Sequence, residues 1–264
     1  MNIKIATWNV NSVRSRITHL TGWLREYSPD IVLLQELKTT NDTFPAMEIE
    51  ELGYNIAMNG QKSYNGVAIL SKLPLDDVIM KLPGDEADLE ARYIEAVASG
   101  KGFALRVASV YVPNGQSPDS DKFQYKQRFL ARLREHAKSL LRLEEILVIG
   151  GDYNVAPDPI DVYDPKSLDG TVCYHPLERQ ALRSIMHLGF YDAFRVANPD
   201  RQTFSWWDYR GNGFDAGKGM RIDHLLLSPQ AADRLQSSEV VMSVRVLEKP
   251  SDHAPVVCVL DIGE

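Results

Sequence analysis

Cysteine is scarce: only Cys173 and Cys258 occur in 264 residues, far apart and outside any CxxC spacing. A disulfide scaffold and a cysteine-ligated zinc site are therefore excluded, and two buried or half-buried thiols in a reducing compartment are expected. No apolar run approaches the roughly 18 residues of a membrane span, and the opening MNIKIATWNVNS lacks the apolar stretch of a secretory signal. A cytoplasmic protein with no membrane partner is expected. Positive charge is not in surplus either. Lys and Arg number 29 against 36 Asp and Glu, a net charge of −7. That balance excludes polyanion binding over the whole surface but leaves room for a local basic track, because a charge is felt over only about 8 to 10 Å in salt. Internal repeats and low-complexity tracts are absent. So are a P-loop, a G-x-G-x-x-G turn and a G-x-S-x-G elbow, which leaves NTP hydrolysis, dinucleotide redox chemistry and acyl transfer without support.

What the chain does contain is the material of one large globular core, 44% hydrophobic and 25% charged residues, and a single domain over 1–264 is expected. Short Ile- and Val-rich runs read as strands at 2–9, 30–35, 66–71, 93–98, 103–111, 146–150, 204–207, 221–227, 240–247 and 255–261. Ten strands need more than one sheet. Helical spacing of apolar residues recurs at 13–27 and 122–143, and a third helix is expected to start at Pro176 with Leu177, Ala181 and Ile185 on its buried stripe. The Pro-, Gly- and Asp-rich pieces 84–88, 114–121, 156–170 and 209–219 read as loops, since apolar runs resume after each. Many strands and few helices point to two packed sheets flanked by helices.

Several of these strands end in an amide or an acid. IKIATWN delivers Asn9 and then Asn11, IVLLQE delivers Glu36, ILVIGGDYN delivers Asp152 and Asn154, and RID delivers Asp223 followed by His224. Ser251, Asp252 and His253 stand just before the last strand. A carboxylate at the tip of a buried strand is costly unless it meets a cation or a donor, so several of them at one rim would make a site for a hard cation. Oxygen ligands from Glu36, Asp152 and Asp252, with amide oxygens of Asn9, Asn11 or Asn154, suit Mg²⁺ or Mn²⁺ better than zinc. His253 follows Asp252 directly and could face Asp223, which would raise the imidazole pKa and place a cation beside a metal-bound phosphate.

The ordered series TWNVNSVRSR, LQELK, YNGVAILS, YVPNG, GDYNVAP, HPLERQ, FSWWDYR, RIDHLLLSP and SDHAP resembles the exonuclease III family of abasic-site DNA endonucleases, within the deoxyribonuclease I-like superfamily. The resemblance runs from Asn2 to Leu260 and implies an α/β fold, a four-layered αββα sandwich of two mixed sheets flanked by helices. It implies that Glu36 holds a catalytic Mg²⁺, with Asn9 and Asn11 close to it and Mn²⁺ able to substitute. Asp152 is implied to orient or deprotonate the attacking water, Asn154 to hold phosphate or nucleophile, and Tyr111 to contact the phosphate. Asp252 and His253 stand as the closing acid and imidazole, both counted with Asp152 and Asn154 among residues at the metal, and Asp223 orients the imidazole. Deoxyribonuclease I has a His where this chain has Tyr111, which favours the repair branch. A pocket for the bare sugar would be lined by Trp206, Met220 and Ile222, with Trp207 behind.

The helix at 122–142 carries seven cations against the single acid Glu135, and its first members Lys122 and Lys126 are expected to reach DNA phosphates. Arg14, Arg16, Lys38, Lys62, Tyr64, Arg210 and Lys218 extend the track, together with Asn114 of the YVPNG loop. The acidic cluster Asp76, Asp77, Asp85, Glu86, Asp88 and Glu90 is expected to lie elsewhere. With about 4 to 6 phosphates neutralised, log affinity should fall with log salt at a slope of roughly 4 to 5. The leading expectation is thus a Mg²⁺-dependent monomeric phosphodiesterase cutting 5′ to abasic sites in duplex DNA and trimming 3′ ends. The alternatives are a phosphoesterase of inositol phosphates or lipid head groups, and a catalytically silent DNA-binding relative.

Overall fold

A computed structural model describes residues 1–263. Its central strands are apolar on both faces, and the period of two sorts their side chains into separate cores. In β1 (Asn2–Asn9) Ile3 and Ile5 point one way and Ala6 and Trp8 the other; in β2 (Ile31–Gln35) Ile31 and Leu33 oppose Val32 and Leu34. These join β3 (Asn55–Asn59), β4 (Val67–Ser71), β13 (Leu235–Val240) and β14 (Val256–Asp261) in a six-stranded sheet ordered β13-β14-β1-β2-β4-β3. The second sheet, ordered β5-β6-β7-β8-β12-β9, uses β5 (Leu75–Ile79), β6 (Tyr93–Gly100), β7 (Phe103–Tyr111), β8 (Leu147–Asp152), β9 (Tyr191–Asp192) and β12 (Asp223–Leu227). A ribbon of β10 (Trp206–Trp207) and β11 (Gly219–Met220) lies apart.

The inner faces of the two sheets meet in one core, where Ile3, Ile5, Leu33 and Ile69 pack with Ile94, Leu105, Val107, Val148 and Leu225. The outer face of the first sheet is covered by the helix Ile17–Tyr27 through Leu20, Trp23 and Leu24. The outer face of the second is covered by the helices Asp121–Leu141 and Pro176–Met186 through Phe129, Leu130, Leu133, Leu182 and Ile185. This is the expected αββα sandwich. Among the described residues no helix is long and apolar enough to cross a membrane. Both cysteines are free and buried.

Registers align the strand ends at one rim. Asn9 pairs with Gln35, Tyr111 with Asp152 and Asp152 with Asp223. The close approach of β7 and β8 there requires Gly151, since a Cβ would sit 1.9 Å from the Val110 carbonyl oxygen.

Three expectations are corrected. The run 240–247 is not a strand: β13 ends at Val240 and Met242–Val246 is a 3-10 turn. The turn lets Arg245 bury its guanidinium against Trp207 and Phe214 and donate to the Ser251 carbonyl. The expected strand 204–207 shrinks to the two residues of β10. In the third helix Leu177 is 51% exposed, and the buried stripe is Glu178, Leu182 and Ile185. Glu178 turns inward because it neutralises a buried lysine.

Candidate active site

Side chains from both sheets converge at the shared rim. Asn9 Nδ2 donates to Glu36 Oε1 and to Asp152 Oδ2, both at 2.9 Å, and so bridges the sheets. The Tyr111 hydroxyl donates to Glu36 Oε1 at 2.9 Å. His253 Nδ1 lies 2.9 Å from Asp223 Oδ2, and its Nε2 lies 3.7 Å from Asp152 Oδ2. Asp252 closes the ring, accepting Asn11 Nδ2 at Oδ1 (2.9 Å) and Trp206 Nε1 at Oδ2 (3.0 Å). Asp152, Asp223 and His253 hold ligand atoms within 4.8 Å of one another.

Charge follows from this packing. Burial works against a charged His253, but Asp223 and Asp152 outweigh it and raise the imidazole to about 10, so the ring is a cation at neutral pH. Burial lifts Asp152 to about 7, opposed by the His253 cation. Glu36 is also buried, yet Lys38 and Asn9 hold it below the usual carboxylate range. Tyr111 is pushed well above its ordinary value by burial and by Glu36 and Asp152, so the phenol keeps its proton.

Two oxygen-bearing groups face one cation already. Lys38 Nζ lies 2.8 Å from Glu36 Oε2 and 2.5 Å from Asn11 Oδ1. An ammonium in that position shows that Glu36 and Asn11 present oxygens to positive charge, and the donor set is that of a hard cation. Two of the expected metal residues are turned otherwise. The Asn9 oxygen accepts the Asn11 backbone N–H and its nitrogen faces the acids. Asn154 donates to the Val112 carbonyl and its oxygen accepts Asn114 Nδ2 at 3.1 Å. In this arrangement both are hydrogen-bonding partners of the acids and loops, not oxygen donors aimed at the Glu36 side of the site.

Around the mouth, Arg14, Lys38 and Lys62 line a cleft of about 440 Å³ with the single acid Asp42 and with Thr39, Thr40, Thr43 and Ser63. Tyr64, Asn114, Lys122, Arg210 and Lys218 are exposed. Arg16 donates to the Asn11 carbonyl and to Tyr209 Oη, and Tyr209 in turn donates to the Pro250 carbonyl, tying the 209–219 loop to the loop that carries Asp252 and His253. Trp206, Met220 and Ile222 come together in an apolar cluster with Ala156, Val162, Cys173 and Tyr174.

Two surface expectations fail. Lys126 is fully buried and cannot reach a phosphate; it pairs with Glu178 beneath the loops. The acidic stretch does not lie apart from the basic helix. Arg132 Nη1 is 2.6 Å from Asp88 Oδ2, and Tyr125 donates to the same carboxylate. The outer cations of that helix are therefore partly neutralised.

Sequence reasoning missed Ser205 and Trp8, and named Ser251 without giving it a role. Ser205 Oγ donates to Asp223 Oδ2 at 2.6 Å and accepts the backbone N–H of Ile222 and Asp223. Ser251 Oγ donates to the Asn9 carbonyl and accepts the His253 N–H, while Trp8 Nε1 donates to the His253 carbonyl. The place of Ser251 beside Asp252 and His253 is the one sequence signal for its role; the other two carry none.

Comparison with known proteins agrees with this fold. The model of the Endonuclease/Exonuclease/phosphatase family matches residues 6–253. The chain is 34% identical to the exodeoxyribonuclease III of Haemophilus influenzae, over 96% of this chain and 98% of that one. Among solved structures it is 40% identical, with a TM-score of 0.94, to a 3′ phosphatase from Neisseria bound to product DNA hairpin, covering 98% and 99% of the two chains. It is 39% identical, with a TM-score of 0.93, to an AP endonuclease from Archaeoglobus fulgidus, covering 98% and 100%. Matched almost end to end in both sequence and backbone, the chain belongs to the Endonuclease/Exonuclease/phosphatase family.

Proposed function

We propose that this chain is a Mg²⁺-dependent phosphodiesterase of DNA repair, cutting 5′ to abasic sites in duplex DNA and trimming 3′ ends, and that it acts as a monomer through one domain over residues 1–264. The observation that carries the reading is the meeting of Glu36, Asp152 and the Asp223–His253 pair at one rim, beside a cleft lined by three cations. Similarity to an exodeoxyribonuclease III and to an AP endonuclease supports DNA as the substrate.

Glu36, with Asn11 and Asp252 near it, would hold the cation, which supplies Lewis-acid stabilisation of charge on the phosphate; manganese would serve in place of magnesium. Every other part belongs to the chain. Asp152, buried and raised to about 7, is suited to take the proton of a water at neutral pH. The water oxygen bonds to phosphorus as the bond to the 3′ oxygen breaks, and that oxygen leaves with a proton from solvent or from the site. The His253 imidazolium, held by Asp223, stabilises the developing negative charge. The phenol of Tyr111 offers a further donor at the phosphate. Arg14, Lys38, Lys62, Tyr64, Asn114, Lys122, Arg210 and Lys218 would follow the DNA backbone. The cluster of Trp206, Met220 and Ile222 would receive the bare sugar.

The test is an incision assay on a duplex with one abasic analogue, run beside free inositol phosphates. Incision 5′ to the analogue in magnesium, abolished by EDTA and by Glu36→Ala, is the expected result. Cleavage of the inositol phosphates alone, or tight DNA binding without product, would overturn the proposal.

A further inference from the structure

Lys126 lies on the inward face of the helix Asp121–Leu141 with no exposed surface. Its ammonium donates to the backbone carbonyls of Asn114 at 3.0 Å and Asn154 at 2.7 Å, and to Oε1 of the equally buried Glu178. All three of its donors are thereby used. The other carboxylate oxygen of Glu178 accepts the His175 N–H at 3.0 Å, which pins the start of the helix Pro176–Met186. An apolar pair of the same size would fill this space without desolvating two charges. What the charge adds is a grip on two loops.

Those loops are the ones that follow β7 and β8 into the site. Asn154 has a left-handed backbone, with φ of 50°. Its N–H donates to Asp152 Oδ1 at 2.8 Å, and its side chain bonds to Asn114 and to the Val112 carbonyl. Fixing the Asn154 carbonyl from below therefore fixes the acid two residues earlier and the amide beside it.

We propose that Lys126 and Glu178 form a positioning pair for the reaction: buried beneath the rim, they hold the Asn114 and Asn154 backbones so that Asp152 and the two amides are in register before DNA arrives. The proposal rests on the functional reading above. A displacement of about 1 Å in such groups can cost on the order of 100-fold in rate.

The test compares the parent with Glu178→Gln and with the double variant Lys126→Met/Glu178→Gln, which leaves no unpaired buried charge. The double variant is expected to melt close to the parent, to keep KM within about threefold, and to lose kcat on the abasic duplex by about 10- to 100-fold. The salt slope of DNA binding should be unchanged. A slope smaller by about 1 would make Lys126 a phosphate contact and overturn the proposal. So would a kcat within about threefold of the parent. Hydrogen exchange of the Asn114 and Asn154 side-chain amides is read without metal or DNA, so it decides the matter even for a parent that fails the incision assay. Exchange at least about 10-fold faster is expected in the double variant or, if that does not fold, in Glu178→Gln; unchanged exchange overturns the pair's role.

Discussion

At the scale of single residues, His253 is defined by its neighbours. Asp223 lies against one ring nitrogen and Asp152 faces the other. Replacing the ring with an amide of similar reach removes the charge and leaves the surrounding carboxylates in place. His253→Asn is therefore expected to lower turnover by about 100-fold or more while changing DNA affinity little. Single-turnover kinetics set beside equilibrium binding checks this, and equal losses in both would make the imidazole a binding group only. The residues at this centre were largely readable in the sequence, because Glu36 and Asp152 close apolar strand runs and Asp223 opens one, and so they announce themselves as polar groups in an apolar place. Lys126 was not readable. In a helix with cations all along it, nothing in the spacing marks the one whose acidic partner, Glu178, comes from a different helix. Ser205 was equally silent, as a loop serine has no periodicity to betray that it serves Asp223.

At the scale of elements, the second sheet is bound to its flanking turns by buried charge. Arg221 is fully buried. Its Nε lies 2.8 Å from Asp161 in the 3-10 turn Pro159–Asp161, and its Nη1 lies 2.6 Å from Asp192 of β9. Arg195 also reaches Asp161, at 2.6 Å. Burial opposes the charge on Asp192, but Arg221 and His224 hold its carboxyl far below the usual range. A folded-state value below the unfolded one means that the contribution is present in full above about pH 5 and is lost as pH falls through the carboxylate range. Asp192→Asn should cost about 3 to 5 kcal/mol at neutral pH, because it strips a buried guanidinium of one partner. It should also flatten the acid limb of stability. Chemical denaturation at pH 7 and pH 3 measures both effects, and a parallel loss at the two pH values would exclude this role for the pair. The strands at the centre of each sheet were legible because they are apolar on both faces. The edge strands β3 and β5 were not: β3 is bounded by Asn55 and Asn59 and only partly buried, and β5 exposes Asp76 to Ile79 in succession, so neither carries a clear apolar pattern. The run 240–247 misled for the opposite reason: its alternation is that of a strand, yet Arg245 has to turn inward, and tertiary packing overrides the local pattern.

At the scale of the whole molecule, an excess of seven negative charges coexists with a cationic mouth. The acids near Asp88 lie against the outer face of the long helix, and Arg132 is spent on them. Positive charge is thereby left at Arg14 and Lys62, with Lys38 held on Glu36, next to the buried acids, where a polyanion would be steered. The same two-sheet frame that separates these charges also carries Glu36 and Asp152 to one rim from different sheets, and Asn9 spans them. Whether that rim gathers a divalent ion can be read directly from crystals grown in manganese and measured at its absorption edge. An anomalous peak against the Glu36 carboxylate, lost in Glu36→Gln, is the expected result. Well-ordered acids with no peak between Glu36 and His253 would contradict it.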